Sequence, residues 1–540
     1  LWLLGNEDLS TEQVYIIGSG PTGVAAATAL LKRGLKVTML DAGLSLEESK
    51  QLALNRTSSK PQPEWNDDDL DDFKAGTKAT AKGITLKLAY GSDFPYRGGE
   101  QFIAANGDVG IVPSLAQGGL SNVWGAAMLP YAAEDITDWP IQISQLEPHY
   151  RSVLEFTGLA GESDDLTSKF PLYTKPHNSL RSGSIINSLL DDMRSNQEQL
   201  AQRKVIFGRS RLAVSEFNQH RLACASCRMC MYGCPLGLIY NSADTLKALR
   251  QDPNFTYHRN IIVKTFREQG ERIEIAAHDL ATKSDVSFQA ERLFIAAGTV
   301  STTRLVLESL YPPNTRVRLK DSQYILLPFL RYHAPDSFDA NEPEHTLAQA
   351  FIEVFDKDVS GKSVHLQVYG YNNLYRAAIE NAIGPLHHLG KPLIDSFLKR
   401  FILLQGYLHS DYSHEIEARL LPRAENALTA RLELKAKENP ATKATIKRLT
   451  KKLRSVRPFL RGMPLSTLMK IAAPGRGFHT GGSFPMRSSP GEFETDVLGT
   501  PAGCRRVHII DSSVFPSVPA STITLTAMAN AHRIATEFSA

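Results

Sequence analysis

Residues 14–43 read VYIIGSGPTGVAAATALLKRGLKVTMLDAG. Val14 to Ile17 is an apolar run of the kind a parallel strand buried on both faces needs. Gly18, Gly20 and Gly23 follow in the spacing G-x-G-x-x-G. The pattern then turns helical, with Val24, Ala27, Leu30 and Leu31 on one face. Gly34 ends the helix, a second strand spans 36–40, and Asp41 closes it. In such a unit Gly18 allows the tight turn and Gly20 lets the backbone approach a pyrophosphate. Gly23 lets helix and strand pack closely, and the helix N-terminus, with Thr22 in its first turn, faces the phosphates. Asp41 stands where a carboxylate binds ribose hydroxyls. Strand, helix, second strand and acid in one register make this a dinucleotide-binding unit rather than a glycine turn in another α/β unit. The unit does not distinguish NAD, NADP and FAD.

The chain is 540 residues long, enough for more than one core. It is 42% hydrophobic and 22% charged, as expected of a globular protein. The net charge of +3, from 60 basic and 57 acidic residues, argues against nucleic acid as a partner. No apolar run is long enough for a transmembrane segment. The N-terminus, LWLLGNEDLS, lacks the sections of a signal peptide and an initiator Met. The expectation is a cytoplasmic protein with a trimmed N-terminus.

Residues 45–98 are polar and carry the acidic run Asp67, Asp68, Asp69, Asp71 and Asp72. A solvated loop is expected there, or a lid beside the cofactor. Residues 117–130, QGGLSNVWGAAMLP, are rich in small residues. Such a segment lets a flat ring lie against the backbone near Gly119, Ser121, Asn122 and Trp124, or else forms a glycine turn before a helix.

Four of the 5 Cys lie within residues 224–234. Cys224, Cys227, Cys230 and Cys234 form C-x2-C-x2-C-x3-C-P, the spacing of iron–sulfur ferredoxins. An iron–sulfur cluster, [4Fe-4S] or [3Fe-4S], is expected, with Cys504 a further candidate ligand. A structural or redox-active Cys loop and a zinc site are the alternatives.

Residues 292–307, RLFIAAGTVSTTRLVL, give a strand, a small-residue turn at Ala297 and Gly298, and a helix. Residues 260–264, with Val263, could flank an adenine. From Tyr324 the pattern changes. Strands are expected at 324–333, 346–355, 363–371, 401–420 and 427–436. Val364, Leu366 and Val368 alternate with His365, Gln367 and Tyr369, as in a sheet buried on one face. Ile446, Leu449, Leu453, Val456 and Leu460 mark one helical face. The basic face opposite, including Lys447, Arg448, Lys451, Lys452 and Arg454, is solvated or meets a membrane surface or acidic partner. His387 and His388 are adjacent and make a poor metal pair.

The tail returns to the first domain. Residues 477–486, GFHTGGSFPM, put His479 in a glycine-rich loop. Residues 507–535 carry Asp511, Thr522 and Thr524 ahead of a small-residue helix. The fold class expected is α/β: a Rossmann-like domain of residues 9–310 and 465–540, holding a Cys-rich insert at about 205–245. An α+β substrate domain on an antiparallel sheet, residues 311–464, is inserted in it.

In this order the motifs resemble the glucose–methanol–choline family of FAD-dependent oxidoreductases. The residues that carry the likeness are the N-terminal unit, GGLSNVWG, the AAG crossover, HTGG and DSSVFP…TLTAMANA. The resemblance implies FAD, with Gly18, Gly20, Gly23 and Asp41 at its ADP half. It places Ser121, Asn122, Trp124, Asp511 and the 522–525 turn near the flavin. The segment CMYGCPLGLIYN, residues 230–241, is similar to bacterial FAD-dependent glucose dehydrogenases that carry an iron–sulfur cluster. Pyranose oxidases attach FAD through a His where this chain has Val123, so non-covalent FAD is implied. Many members pair the catalytic His with an Asn or a second His where this chain has Thr522.

The implied activity is oxidation of a sugar or other alcohol. His479, near an ordinary imidazole pKa, takes the hydroxyl proton and flavin N5 takes the hydride. Electrons leave through the cluster to an external acceptor. The alternatives are an oxygen-using oxidase with a structural Cys loop, and an electron-transfer flavoprotein. Tyr369, Tyr371, His409 and His414 are candidates to line the substrate pocket.

Overall fold

The apolar strand Gln13–Ile17 is the middle of a five-stranded parallel sheet. The computed structural model describes residues 12–76, 80–81, 84–104, 108–372, 374, 376 and 387–539. The strand order is Val507–Ile509, Arg292–Ile295, Gln13–Ile17, Lys36–Leu40 and Phe255–His258. Val14 and Ile16 are fully buried on one face and Tyr15 and Ile17 nearly so on the other, as a doubly covered parallel strand requires. The chain leaves this strand, forms the helix Pro21–Lys32, and returns beside it as Lys36–Leu40. Its other neighbour, Arg292–Ile295, comes from far along the sequence. That reversal of strand order opens a crevice at the strands' C-terminal ends, where open α/β sheets bind ligands. The helix Ile523–Glu537 closes the layer against Pro21–Lys32.

A three-stranded antiparallel sheet, Ile261–Gln269, Arg272–Asp279 and Ser284–Ala290, joins Phe255–His258 to Arg292–Ile295. A second antiparallel sheet runs in the order Gly462–Pro464, Tyr324–Arg331, Phe401–Leu408, Val364–Tyr369, Ala350–Val354 and Val205–Arg209. Lys470–Ile471 adds to its edge strand. Its last strand, Val205–Arg209, precedes the Cys-rich segment in sequence. One face packs on the helices Ser184–Ser195 and Pro440–Leu460, where Ile325, Leu327, Leu366 and Leu404 meet Ile446, Leu449 and Leu453. Each fully buried aliphatic side chain there contributes about 1.5–3 kcal/mol.

Several expectations change. All six residues of Val364–Tyr369 are buried, because the large core of the dinucleotide domain reaches the sheet's second face at Phe351 and Tyr369. Residues 401–420 are two strands, Phe401–Leu408 and Glu415–Leu420, in different sheets and parted by a turn at Ser410–Tyr412. The acidic run is not a loop: it begins the helix Asp67–Lys74. Part of the basic face of Pro440–Leu460 is engaged: Lys452 pairs with Asp356 at 2.5 Å and Arg448 donates to the Val359 carbonyl at 2.8 Å. Lys447 and Lys451 are exposed. Among the described residues no helix is long and apolar enough to cross a membrane.

Candidate functional site

The crevice above the parallel sheet holds a cavity of about 250 Å³. Gly18, Gly20, Thr22, Asp41, Gly119, Val263, Ala297, Gly298, Asp511 and Thr524 all line it, so the structure gathers ten of the sequence candidates. Ile261 and Ile262 line it too, beside Val263. Gly18 turns the chain with φ of +98°, and a Cβ there would lie 2.6 Å from the Ala296 carbonyl oxygen. A Cβ on Gly23 would run into the Gly18 carbonyl. Gly20 is different: a Cβ there meets nothing within 4 Å, because it faces the open cavity.

Among the described residues three helices begin at the cavity wall. They are Pro21–Lys32, Thr299–Leu310 and Ile523–Glu537, with N-caps Gly20, Gly298 and Thr522, and none has a side-chain cap. Their uncapped N–H groups and positive dipole ends suit an anionic ligand. Asp41 ends its strand against the cavity. It accepts hydrogen bonds from Ser19, and from Tyr257 at 2.9 Å. Burial pushes its carboxyl up to about 6, against those hydroxyl donors. Asp511 accepts from the Gly298 N–H at 2.9 Å, Thr302 at 2.5 Å and the Ser513 N–H at 2.9 Å, and burial raises its pKa. Ser301 Oγ and Arg304 Nε line the cavity region buried and without partners. Arg304 otherwise holds the Val263 and Lys264 carbonyls at 2.8 Å. Open space over Gly20 and Gly298, uncapped helices, Asp41 and two unpartnered polar atoms fit a dinucleotide. Ser19, Arg304 and Phe478 were not foreseen; Ser19 lay inside the glycine motif, while the other two are brought in by tertiary packing.

Ser121, Asn122 and Trp124 do not line the cavity. Their polar atoms tie their segment to residues 240–242. Ser121 accepts from the Ser242 N–H at 3.0 Å, Asn122 from Asn241 at 2.7 Å, and Trp124 donates to the Tyr240 carbonyl at 2.9 Å. Thr522 caps Leu129: its hydroxyl accepts from the Leu129 N–H at 2.7 Å and donates to the Leu129 carbonyl at 3.3 Å.

His479 stands beside the cavity on the side of the antiparallel sheet. Phe478 before it, at φ of +57°, turns toward the cavity and stacks on Tyr96. The next residue therefore faces the other way, and the imidazole of His479 stacks on Tyr407 at 4.6 Å. Its Nδ1 is buried without a partner. Burial, with His365 nearby, pushes its pKa down to about 3, not the ordinary value expected from sequence. Asp321 pairs across the strands with Thr480, and burial pushes its carboxyl up to about 8. Of the other pocket candidates, Tyr369 is on the sheet face toward this site, as described below. Tyr371 packs in the helix-covered core, His409 bonds the Asp135 carbonyl, and His414 accepts from the Asn439 N–H.

The cysteine segment lies behind residues 117–125. Lys87 donates to the Trp124 carbonyl at 3.0 Å and senses Cys230 and Cys234. All five cysteines are free. Burial, and the nearness of Cys230, pushes Cys227 up to about 12 and Cys234 up to about 11. Among the described residues no three His, Cys, Asp or Glu are arranged to hold a metal ion. The thiols have the chemistry of cluster ligands but, among the described residues, not the arrangement.

No protein-family model matches the chain, and no curated protein sequence matches it. Among solved structures it is similar to pyridoxine 4-oxidase from Mesorbium loti, with a TM-score of 0.58 at 12% identity over 97% of this chain and 99% of that one. The two share a mixed α/β fold, a Rossmann-like region with an inserted β-rich domain.

Proposed function

We propose that the protein is a FAD-dependent oxidoreductase that oxidises an alcohol hydroxyl to a carbonyl. What supports this is the stretch 478–480: Phe478 and Thr480 line the cavity, and His479 between them stacks on Tyr407 of the inserted sheet. Gly18, Gly20, Asp41, Gly298 and Asp511 would hold the cofactor, non-covalently, with the helix N-termini on its phosphates. Bound flavin supplies the two-electron acceptor for the carbon-bound hydride. His479, neutral because it is buried, orients the hydroxyl and takes its proton as the C–H bond breaks. Thr522 is tied to Leu129, which leaves that proton to His479. The likeness to an oxidase favours dioxygen as the electron acceptor, giving one hydrogen peroxide per alcohol oxidised. Electron exit through an iron–sulfur cluster, the second reading, has only the cysteine spacing in its favour, against the arrangement of the described thiols.

The test is anaerobic reduction of the FAD-loaded protein by an alcohol panel. His479→Ala is expected to slow flavin bleaching at least about a hundredfold while keeping the flavin. Near-normal bleaching by the variant sinks the base assignment. Iron and acid-labile sulfide in anaerobically purified protein decide the second reading.

A further inference from the structure

The register of the antiparallel sheet arranges the side chains facing His479 in cross-strand rows. Tyr324, Tyr407, His365 and Glu353 pair in turn across four strands. Tyr407 carries the His479 stack, and the buried His365 shares a 2.5 Å hydrogen bond with Glu353. Two residues along each strand the same face returns. It presents Leu326, Gln405, Gln367 and Phe351, and then Pro328, Leu403 and Tyr369. The Tyr369 hydroxyl donates to Gln367 at 3.1 Å, and a Cβ on Gly125 would lie 3.6 Å from it. These rows therefore run from His479 to residues 117–125. The next row pairs Leu330 with Phe401 and sets Met463 beside Leu330.

The strand Tyr324–Arg331 alternates cleanly. Ile325, Leu327 and Phe329 enter the helix-covered core. Leu326, Pro328 and Leu330 lie on the opposite face and stay half-buried, and Met463 is 42% exposed. Polar groups are concentrated at the His479 end. Toward the edge strand the face presents Leu326, Pro328, Leu330, Leu403 and Met463, with Lys470 paired beside Leu326 at its exposed rim.

We infer that the substrate is an amphipathic alcohol, with its hydroxyl at His479 and an apolar body laid along Leu326, Pro328, Leu330 and Leu403; this rests on the proposed alcohol oxidation. A sugar has a hydroxyl on nearly every carbon, and each one pressed on these side chains loses water without gaining a partner. An alkyl chain gains by the same contact. Each methylene covered improves binding roughly threefold to fourfold.

The experiment compares anaerobic flavin bleaching of the FAD-loaded protein by primary alkanols from butanol to decanol with that by glucose and sorbitol. The expected result is a kcat/KM that climbs about threefold per methylene and exceeds that of the polyols at least about a hundredfold. Leu326→Asn flattens that climb with flavin content and circular dichroism unchanged. Leu330→Asn, one row outward, does the same if the first variant folds poorly. Faster reduction by glucose or sorbitol than by any alkanol overturns the inference and leaves alcohol oxidation standing. No reduction by either class overturns both. A Met463→Glu variant that splits a dimer, with the chain-length dependence of Leu326→Asn unchanged, makes this row a subunit contact and overturns the inference.

Discussion

Gly20 and Gly23, three residues apart, exclude side chains for opposite reasons. Gly23 has no room, because a Cβ would strike the Gly18 carbonyl. Gly20 has room that a ligand needs. Gly20→Ala is therefore expected to fold but hold its flavin more weakly, whereas Gly20→Leu folds but loses at least about nine-tenths of it, as it fills the crevice. Gly23→Ala lowers stability by about 1–3 kcal/mol, as overpacking does. The ratio of flavin to protein absorbance and a melting curve check both, and equal flavin content in Gly20→Leu and wild type would refute the assignment. This much was legible, since the glycine spacing carries its own steric logic. The sequence offers His479 as a candidate base at an ordinary pKa; its buried state was not legible, because burial depends on Tyr407 and His365 from the inserted sheet. With its pKa lowered to about 3, the folded protein holds His479 neutral where the unfolded chain, near 6.5, takes up a proton. Unfolded binds more protons in that window, so this group's stability contribution is lost as pH falls from 6.5 toward 3. For catalysis, the rate of flavin reduction shows no loss from His479 protonation between pH 5 and 8. A stopped-flow profile that drops below an apparent pKa near 6.5 would contradict this placement.

At the scale of elements, the acidic run shows what composition conceals. Five aspartates in six residues read as a solvated loop. In the structure Asn66 caps the helix Asp67–Lys74, accepting from the Asp68 N–H at 2.8 Å and the Asp69 N–H at 3.3 Å. Asp67, Asp68 and Asp69 then lie in the first turn, where the helix dipole favours negative charge. The cap and the acidic turn were both visible in the sequence and outweigh the charge density. Asn66→Ala is expected to cost about 1 kcal/mol, and Asn66→Ser nearly nothing. Hydrogen exchange at Asp68 to Phe73 reads this locally; unchanged protection in Asn66→Ala would show that tertiary contacts alone hold the helix. The strand Val205–Arg209 has a partner that its own sequence does not announce. It pairs with Ala350–Val354, about 145 residues later, and no local pattern encodes so distant a register.

Across the whole molecule, function depends on holding two independently cored layers in one register. The dinucleotide sheet and the sheet covered by Pro440–Leu460 bury separate clusters, and each was readable from its own periodicity. Their junction was not: one apolar cluster takes Ile17 and Leu293 from the first layer and Phe351 and Tyr369 from the second, and single polar residues that no periodicity marks tie it further. Asp135, in a turn of the first layer, is such a residue and is fully buried. Its carboxylate accepts from the Ser363 N–H at 2.9 Å and from the Ser363 hydroxyl, just before the strand that carries His365. Its carbonyl meets Lys362 Nζ at 3.2 Å and His409 Nε2 at 3.1 Å, just after the strand that carries Tyr407. One residue thus anchors the ends of both strands that set the row beneath His479. Asp135→Ala leaves the Ser363 N–H and hydroxyl buried without acceptors, at a cost of about 1–3 kcal/mol. Asp135→Asn keeps one acceptor oxygen and loses less. Urea unfolding should show the midpoint fall in that order with an unchanged slope, since the buried surface is the same. The anchor also bears on chemistry, because a shift of Tyr407 moves the imidazole stacked on it. Asp135→Ala is therefore expected to slow flavin reduction more than Asp135→Asn while flavin content stays constant, since neither Asp135 nor the strands it anchors line the nucleotide cavity. Equal unfolding midpoints for wild type and Asp135→Ala would mean that apolar packing alone sets the register between the layers.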